Sequence, residues 1–247
     1  SLPFFARLFN EKKFQAFADT VNDSVYRVSA ASLLATGWMM VAAVPLIDLV
    51  YRRGKFSFGD TQTSAVYFFW FSLSLVLWSA QGLYARAFYA AGDTLTPMLA
   101  VSLITVISLP IYSFLFHAFG VVGLAWASDI GIGINLLALA GLLHHRGLVR
   151  LDEMRWKELA KAMLAAVIAG AISFEVAKAV PLASTGHGNR VADIMQIALV
   201  SITWAAAAAA ALWLLRSELP RDLRRSKAAA YPAVAQDESS EILGAGR

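Results

Sequence analysis

The chain has 247 residues, 58% of them hydrophobic and 15% charged, with a formal net charge of +4. Soluble domains carry roughly 45–50% apolar and about 25% charged residues, so a water-soluble fold of this length would leave much apolar surface uncovered, and the composition predicts a membrane solvent. The lack of cysteine excludes disulfides, thiolate nucleophiles and Cys-metal sites, and the basic residues cluster beside apolar runs, which argues against a nucleic-acid partner.

The chain opens on Ser1-Leu2-Pro3, which reads as the end of an earlier helix, so the sequence is expected to be a piece of a longer one. Its N-terminus has neither the basic start nor the apolar core of a signal peptide. Residues 9–27 place Phe14, Phe17, Val21 and Val25 on one helical face, as an amphipathic connector or a segment lying among lipid head groups would.

A helix crosses the hydrocarbon core with about 20 apolar residues, and six runs meet that length: 28–50, 64–91, 98–119, 121–143, 162–180 and 194–215. The first contains Pro45 and Asp48, the fourth Asp129 and Asn135, and the fifth Glu175 and Lys178, three apart and able to pair. A tight turn at 116–120 joins the third run to the fourth, with Gly120 supplying a positive φ. A second amphipathic stretch at 151–161 carries Leu151, Met154, Trp156 and Leu159. The last run holds unbroken alanine at 205–211, but Trp204, Trp213 and Arg216 flank it as interfacial anchors. The tail at 226–247 mixes Ala, Ser, Pro, Gly and acids and is expected to be disordered. The fold class is therefore an all-α membrane protein with three regions: four transmembrane helices within 1–145, two more within 146–225, and a tail.

Alternating the connections between sides gives orientation. One side collects Arg7, Arg86, Arg146, Arg155, Arg225 and others, 16 of the 21 Lys and Arg residues; the other holds Arg52, Arg53, Lys55, Lys178 and Arg190. Both termini are expected in the cytoplasm, which an even number of spans allows.

Between the second and third spans lies Arg86-Ala-Phe-Tyr-Ala-Ala-Gly-Asp-Thr-Leu-Thr-Pro97. This closely resembles the RAFYAxxDTxTP segment of the MurJ/MviN family, the lipid II flippases of bacterial cell-wall synthesis. In the expected order, Arg53-Gly54-Lys55-Phe56-Ser57 followed by Asp60-Thr61 resembles the family's RGxF(S/T) loop, Leu2-Pro3 an LLP helix end, Pro45 an apolar-Pro position, and Gly123-Leu124-Ala125 the GLA of a later helix. The resemblance covers about residues 1–150 by motif and the remainder by helix count. It implies a fourteen-helix fold, two six-helix lobes in a V plus two C-terminal helices, of which this chain resembles helices nine to fourteen: a partial second lobe and the last pair.

The family's substrate-binding arginines belong mostly to helices outside this match, so no residue inherits that role. The implied partners are an undecaprenyl-linked peptidoglycan precursor, membrane lipids and the remaining N-terminal helices; the implied location is the bacterial inner membrane. In some members an ion site uses Asn and Asp one turn apart on the eleventh helix; Ser108 and Tyr112 occupy those positions here, a departure from the pattern.

The residues expected to carry substrate contact or gating are Arg86, Asp93, Gln81 and Arg53. Arg86 also suits a cytoplasmic anchor at a helix C-terminus, and Asp93-Thr94 before Pro97 also suits a helix start. Gln81 and Tyr84 face either a cavity or a neighbouring helix. Asp129, with Ser128 beside it, is the candidate for sodium or proton coupling, because an ionisable residue in a span is costly and faces the bundle interior or water. Asn135, six residues on, shares no helical face with Asp129.

No Gly-rich phosphate loop, nucleophile elbow, catalytic carboxylate pair or metal-spaced histidines occur, and no enzyme chemistry or cofactor is expected. His144-His145 reads as part of a basic connector. The function read from the sequence is part of an alternating-access lipid II flippase, its fifth and sixth spans forming a lateral groove for the polyprenyl tail. The alternatives are another polysaccharide-lipid flippase, a cation-coupled exporter of the same superfamily, and a non-transporting membrane scaffold.

Overall fold

The computed structural model describes residues 2–182 and 190–222, and every regular element there is helical. The order is α1 (Leu2–Asn10), α2 (Phe14–Val41), α3 (Ala43–Tyr51), α4 (Phe58–Ala90), α5 (Leu95–His145), α6 (Trp156–Ala179) and α7 (Arg190–Leu214). Four of these, α4 to α7, are long and apolar enough to cross a membrane, and α2 with α3 makes a fifth such unit bent by 68°.

The 51-residue α5 counts twice. Straight, it would extend about 77 Å, more than twice the hydrocarbon thickness. Gly120 breaks it with φ 62° and ψ −139°, a conformation that glycine reaches without a Cβ penalty. The chain then doubles back. A methyl group on Gly123 would overlap the carbonyl oxygen of Leu115, and one on Gly131 would lie 3.3 Å from Ser108 Oγ. These pairings close antiparallel about Gly120, so the arms 95–119 and 121–145 are two crossings, and the six expected spans are accounted for.

The first span differs from its expected outline. The helix begins at Phe14 rather than near residue 28 and breaks after Val41. Pro45 supplies the reason: it lacks an N–H and its ring collides with the carbonyl four residues back, that of Val41. The amphipathic face of 9–27 is also not a lipid-facing one. Phe17, Val21, Val25 and Tyr26 are buried with Phe5, Phe88, Leu143 and Val149 in one core, while Phe14 is exposed. In 151–161, Met154 is buried and Trp156 is exposed, its indole N–H donating to the Leu151 carbonyl at 2.8 Å.

α2 is the central strut, packing on α4 along one side and α6 along the other. Small residues set that second spacing: a Cβ on Gly37 would stand 3.0 Å from the Ala166 carbonyl oxygen, and Ala162, Ala165 and Ala169 are fully buried beside it. Such stripes let backbones approach where hydrocarbon solvent gives no hydrophobic drive. α7 packs on α6, and its exit is tied down by charge. Arg155 binds Asp222 at 2.6 Å, pairs with Glu218 and stacks 4.6 Å over the Tyr26 ring. Glu158 accepts from Ser217 Oγ at 2.9 Å and the Glu218 N–H at 3.0 Å. The expected pair of Glu175 and Lys178 forms, at 3.2 Å. The expectation for 226–247 lies outside the described residues.

The hairpin makes a stability prediction. Gly123→Ala forces the α5 arms apart and should cost about 1–3 kcal/mol, the usual penalty of overpacking. Gly133→Ala, on the same arm with nothing within 4 Å, should be neutral or slightly stabilising. Thermal unfolding of the two variants in detergent checks the contrast; equal midpoints would contradict the tight hairpin.

Candidate functional site

The signature segment 86–97 folds as a turn that closes one helix and opens the next. Gly92, at φ 78°, follows the last turn of α4; its N–H reaches the Tyr89 carbonyl at 3.0 Å and the Asp93 N–H the Phe88 carbonyl at 3.0 Å. This paired closure satisfies carbonyls that a helix end leaves bare and needs a left-handed residue where glycine stands. Asp93 then caps α5, accepting from the Thr96 N–H at 2.9 Å and the Thr96 hydroxyl at 2.5 Å. Capping, one of its two expected roles, is therefore present.

Asp93 has a second partner that the sequence did not suggest. Arg146, at the far end of α5, pairs with the Asp93 carboxylate, donates to Thr96 Oγ1 at 2.9 Å and lies 5.4 Å from the Phe88 ring centre. Since α5 doubles back at Gly120, residues 93 and 146 meet at its open end, and the guanidinium buckles the hairpin shut. Hydrogen bonds from Arg146 and then Thr96 hold the Asp93 carboxyl well below the usual carboxylate range. Arg86 is exposed on α4 a turn before this buckle.

Along the seam between α4 and α5 lies a cleft of about 380 Å³, mostly apolar in its surface, whose polar liners include Trp78, Gln81, Ser108, Tyr112, Ser128 and Asn135. No charged side chain lines it. Ser108 and Asn135 are only 4% and 5% exposed, and Ser108 Oγ, Asn135 Oδ1 and Gln81 Oε1 are buried without a hydrogen-bond partner among the described residues. An unpaired buried polar atom costs about 1–3 kcal/mol, so three around one cleft mark a place where packing is not the governing demand.

Asp129 does not join that cleft. Its carboxylate accepts from Ser74 Oγ of α4, one turn from the contact of Trp70 with Trp126, whose rings are 5.3 Å apart. Asp129 and Asn135 thus sit on different parts of the seam, as their spacing predicted. Ser128 and Gln81 reach the cleft; Tyr84 is buried in the core instead.

At the opposite end of α4 the structure gathers residues that the sequence presents separately: Asp48 as an interruption of a span, and Arg53 to Ser57 with Asp60-Thr61 as a family-like loop. Asp48 is 5% exposed, bonded to Arg52 at 3.0 Å and receiving the Thr61 hydroxyl at 2.7 Å, while Arg52 stacks 5.2 Å from Phe58. Asp60 forms a capping box with Ser57, so both residues of the Asp60-Thr61 pair have a local task. Arg53 is exposed in the loop beside them. The four residues expected in substrate contact or gating are therefore dispersed: Arg86 and Asp93 at one end of α4, Gln81 in the cleft, Arg53 at the other end.

A protein-family model described as "Lipid II flippase MurJ" matches residues 1–182. Among curated relatives, a probable lipid II flippase MurJ of Vibrio cholerae is 27% identical over 177 residues, covering 71% of this chain and 34% of that protein. One of Bdellovibrio bacteriovorus is 24% identical over 204 residues, covering 81% and 38%. The chain thus spans about a third of the length of the curated relatives it matches. A solved structure, "Lipid II flippase MurJ, inward closed conformation", shares the fold at a TM-score of 0.64 and 18% identity, over 85% of this chain and 42% of that one.

The buckle predicts a pH effect with a definite sign. A carboxyl whose folded-state pKa is depressed stabilises the fold above its ordinary pKa of about 3.9 and loses that contribution as pH falls toward the depressed value. At neutral pH Asp93→Asn, which keeps a capping acceptor, should lose no more than about 1 kcal/mol, because the pair is partly exposed. Asp93→Ala should lose about 1 kcal/mol more through the cap. The gap between wild type and Asp93→Asn should narrow below about pH 4; a gap that is constant from pH 7 to pH 3 in thermal melts would count against the ion pair.

Proposed function

This chain belongs to the family of lipid II flippases described as MurJ, and on that premise we propose that it forms part of a bacterial inner-membrane transporter for lipid II, the undecaprenyl-linked peptidoglycan precursor. Transport would proceed by alternating access, with two lobes rocking about a central polar site while the lipid tail stays in the bilayer. The observation that carries the reading is the family match over 1–182, which includes the signature segment at the α4–α5 reversal. The other helices of such a transporter would come from sequence corresponding to the rest of the relatives' length. Together they would enclose the cavity and supply the phosphate-binding arginines.

The lipid tail would lie in a groove beside the fifth of the expected spans rather than between the fifth and sixth. An apolar groove of about 1000 Å³ lies between α6 and the α2–α4 unit, walled by Met40, Val44, Phe69, Met163, Val167 and Phe174. α7 contributes no wall because it is packed on α6. The groove asks for no hydrogen bond: Thr36, one of its few polar liners, already donates to the Ser72 carbonyl at 3.0 Å. A hydrocarbon chain suits it.

Asp129 would couple transport to sodium or protons. Among the described residues no cation pairs with it, and its partner Ser74 is neutral. A charge at the centre of a span costs about 2.5–3.5 kcal/mol on insertion scales, and binding an ion or proton would offset that cost.

The orientation with both ends cytoplasmic rests on the charge asymmetry. Because the chain has no cysteine of its own, single cysteines at Lys55 and Lys157 give a direct check. Lys55→Cys should react with an impermeant thiol reagent on intact spheroplasts and Lys157→Cys only after lysis; the reverse pattern would overturn the topology.

For the function itself, bacteria depleted of their own lipid II flippase should regain growth from the longest reading frame that carries this chain, and not from the 247 residues alone. Rescue by the 247 residues alone, or failure of the whole frame despite membrane expression, would sink the reading. In the rescuing protein, Asp129→Asn should preserve membrane abundance but remove dependence on sodium or the proton gradient. Normal transport with unchanged ion dependence would reduce Asp129 to a packing hydrogen bond.

A further inference from the structure

The cleft between α4 and α5 combines an apolar surface with uncharged polar groups, which points to one part of a head group rather than another. Its walls carry two side-chain amides, Gln81 and Asn135, four hydroxyl groups, Thr105, Ser108, Tyr112 and Ser128, and the Trp78 indole, set among aliphatic side chains of α5, with no acid or base among them. A pyrophosphate or carboxylate would need a cationic partner in a span, where charge is expensive. Sugar hydroxyl and acetamido groups need neutral donors and acceptors together with an apolar face to lie against. Amides and hydroxyls supply both hydrogen-bonding senses, and Trp78, 58% exposed, offers the face.

We propose that the cleft between α4 and the α5 hairpin is a saccharide subsite, which takes one neutral N-acetylhexosamine ring through Gln81, Ser108 and Asn135 with Trp78 as the stacking surface. This rests on the lipid II reading and assigns to this part of the molecule the sugar, not the pyrophosphate. Two features beyond composition support it. Ser108 and Asn135 are at least 95% buried, line the cleft, and each leaves a polar atom unpaired; groups whose fixed task was to hold helices together would be paired with one another. The cavity, about 380 Å³, stands near the lower end of ligand pockets, which suits one ring and not a whole head group. Gly131 opposite Ser108 keeps the floor open, since a Cβ there would stand 3.3 Å from Ser108 Oγ and crowd the hydroxyl.

The test uses the longest reading frame that carries this chain, in detergent, with methyl N-acetylglucosaminide as probe, ligand-observed NMR saturation transfer as readout, and inorganic pyrophosphate and sodium as competitors. Wild type should bind the glycoside in sodium-free buffer. Gln81→Leu and Asn135→Leu should each weaken it about tenfold, one lost hydrogen bond to a buried partner. Removing unpaired polar atoms should leave both variants at least as stable as wild type. Trp78→Ala, a substitution at an exposed side chain that does not disturb the core, should weaken it as well. Absence of glycoside binding by wild type overturns the subsite, as does binding unchanged in all three variants, or full displacement of the glycoside by sodium or pyrophosphate. These results are separable from the parent reading: growth rescue by the whole reading frame with no glycoside effect sinks only the subsite, whereas a glycoside site in a whole frame that fails to rescue sinks the flippase.

Discussion

Hydrocarbon cannot hydrogen-bond a peptide group, so a chain in the membrane must satisfy its own backbone wherever it turns. The reversals in this protein follow that demand. At the end of α4 the closing bonds from Gly92 and Asp93 and the opening bonds from Thr96 to Asp93 are made within nine residues, 88–96. At Gly120 the reversal is sharper, and the two arms compensate by pressing Gly123 against the Leu115 carbonyl. The signature segment is accordingly first a solution to a backbone problem. Any gating by Asp93 must begin by breaking its bonds to Thr96 and Arg146, because the carboxylate is already fully engaged.

The same constraint decides how the helices adhere. Without water to drive association, contact comes from close approach of small residues and from polar groups that find each other across helices. The α2–α6 contact uses the first device at Gly37 and Ala166, and the end of α7 uses the second, with Arg155 shared between Glu218, Asp222 and the Tyr26 ring. The α4–α5 seam uses both only in part. Ser74 meets Asp129 and Trp70 meets Trp126, but further along Gln81, Ser108 and Asn135 surround space instead of bonding. In one molecule a sealed junction and an unsealed one thus lie on opposite sides of the bundle.

Much of this was legible in the sequence, and where it was not the reasons are specific. Span number and the turn at Gly120 follow from apolar run length and one glycine, both local signals. Pro45 was visible too, but its consequence, a 68° bend after Val41 rather than an interrupted straight helix, depends on whether α4 and α7 reward the bend by packing on α3. The stripe at Phe17, Val21 and Val25 fits lipid and protein equally well, because hydrophobic periodicity records that a face is buried and not what buries it. Arg146 was counted as one more basic residue of a connector. Its pairing with Asp93 spans 53 positions and exists only because α5 folds back on itself.

The dispersal of the expected site residues has a physical sense of its own. Arg86, Asp93 and Arg53 lie at helix ends, where charge is cheap, and the middle of the seam holds amides and hydroxyls instead. Asp129 is the exception among the described residues along that seam, an acid on the second arm of α5 with only a serine for a partner. Under the proposed transport of a charged and sugar-bearing head group, this separation would be an advantage. Neutral groups in the interior can hold and release uncharged parts without the desolvation cost that a buried ion pair exacts, while Asp129, next in sequence to Ser128 of the cleft wall, is bonded to Ser74 of α4 instead. On the proposed ion coupling, loading of Asp129 and occupancy of the cleft would act on the same α4–α5 seam, the minimum arrangement by which an ion gradient could bear on a neutral ligand.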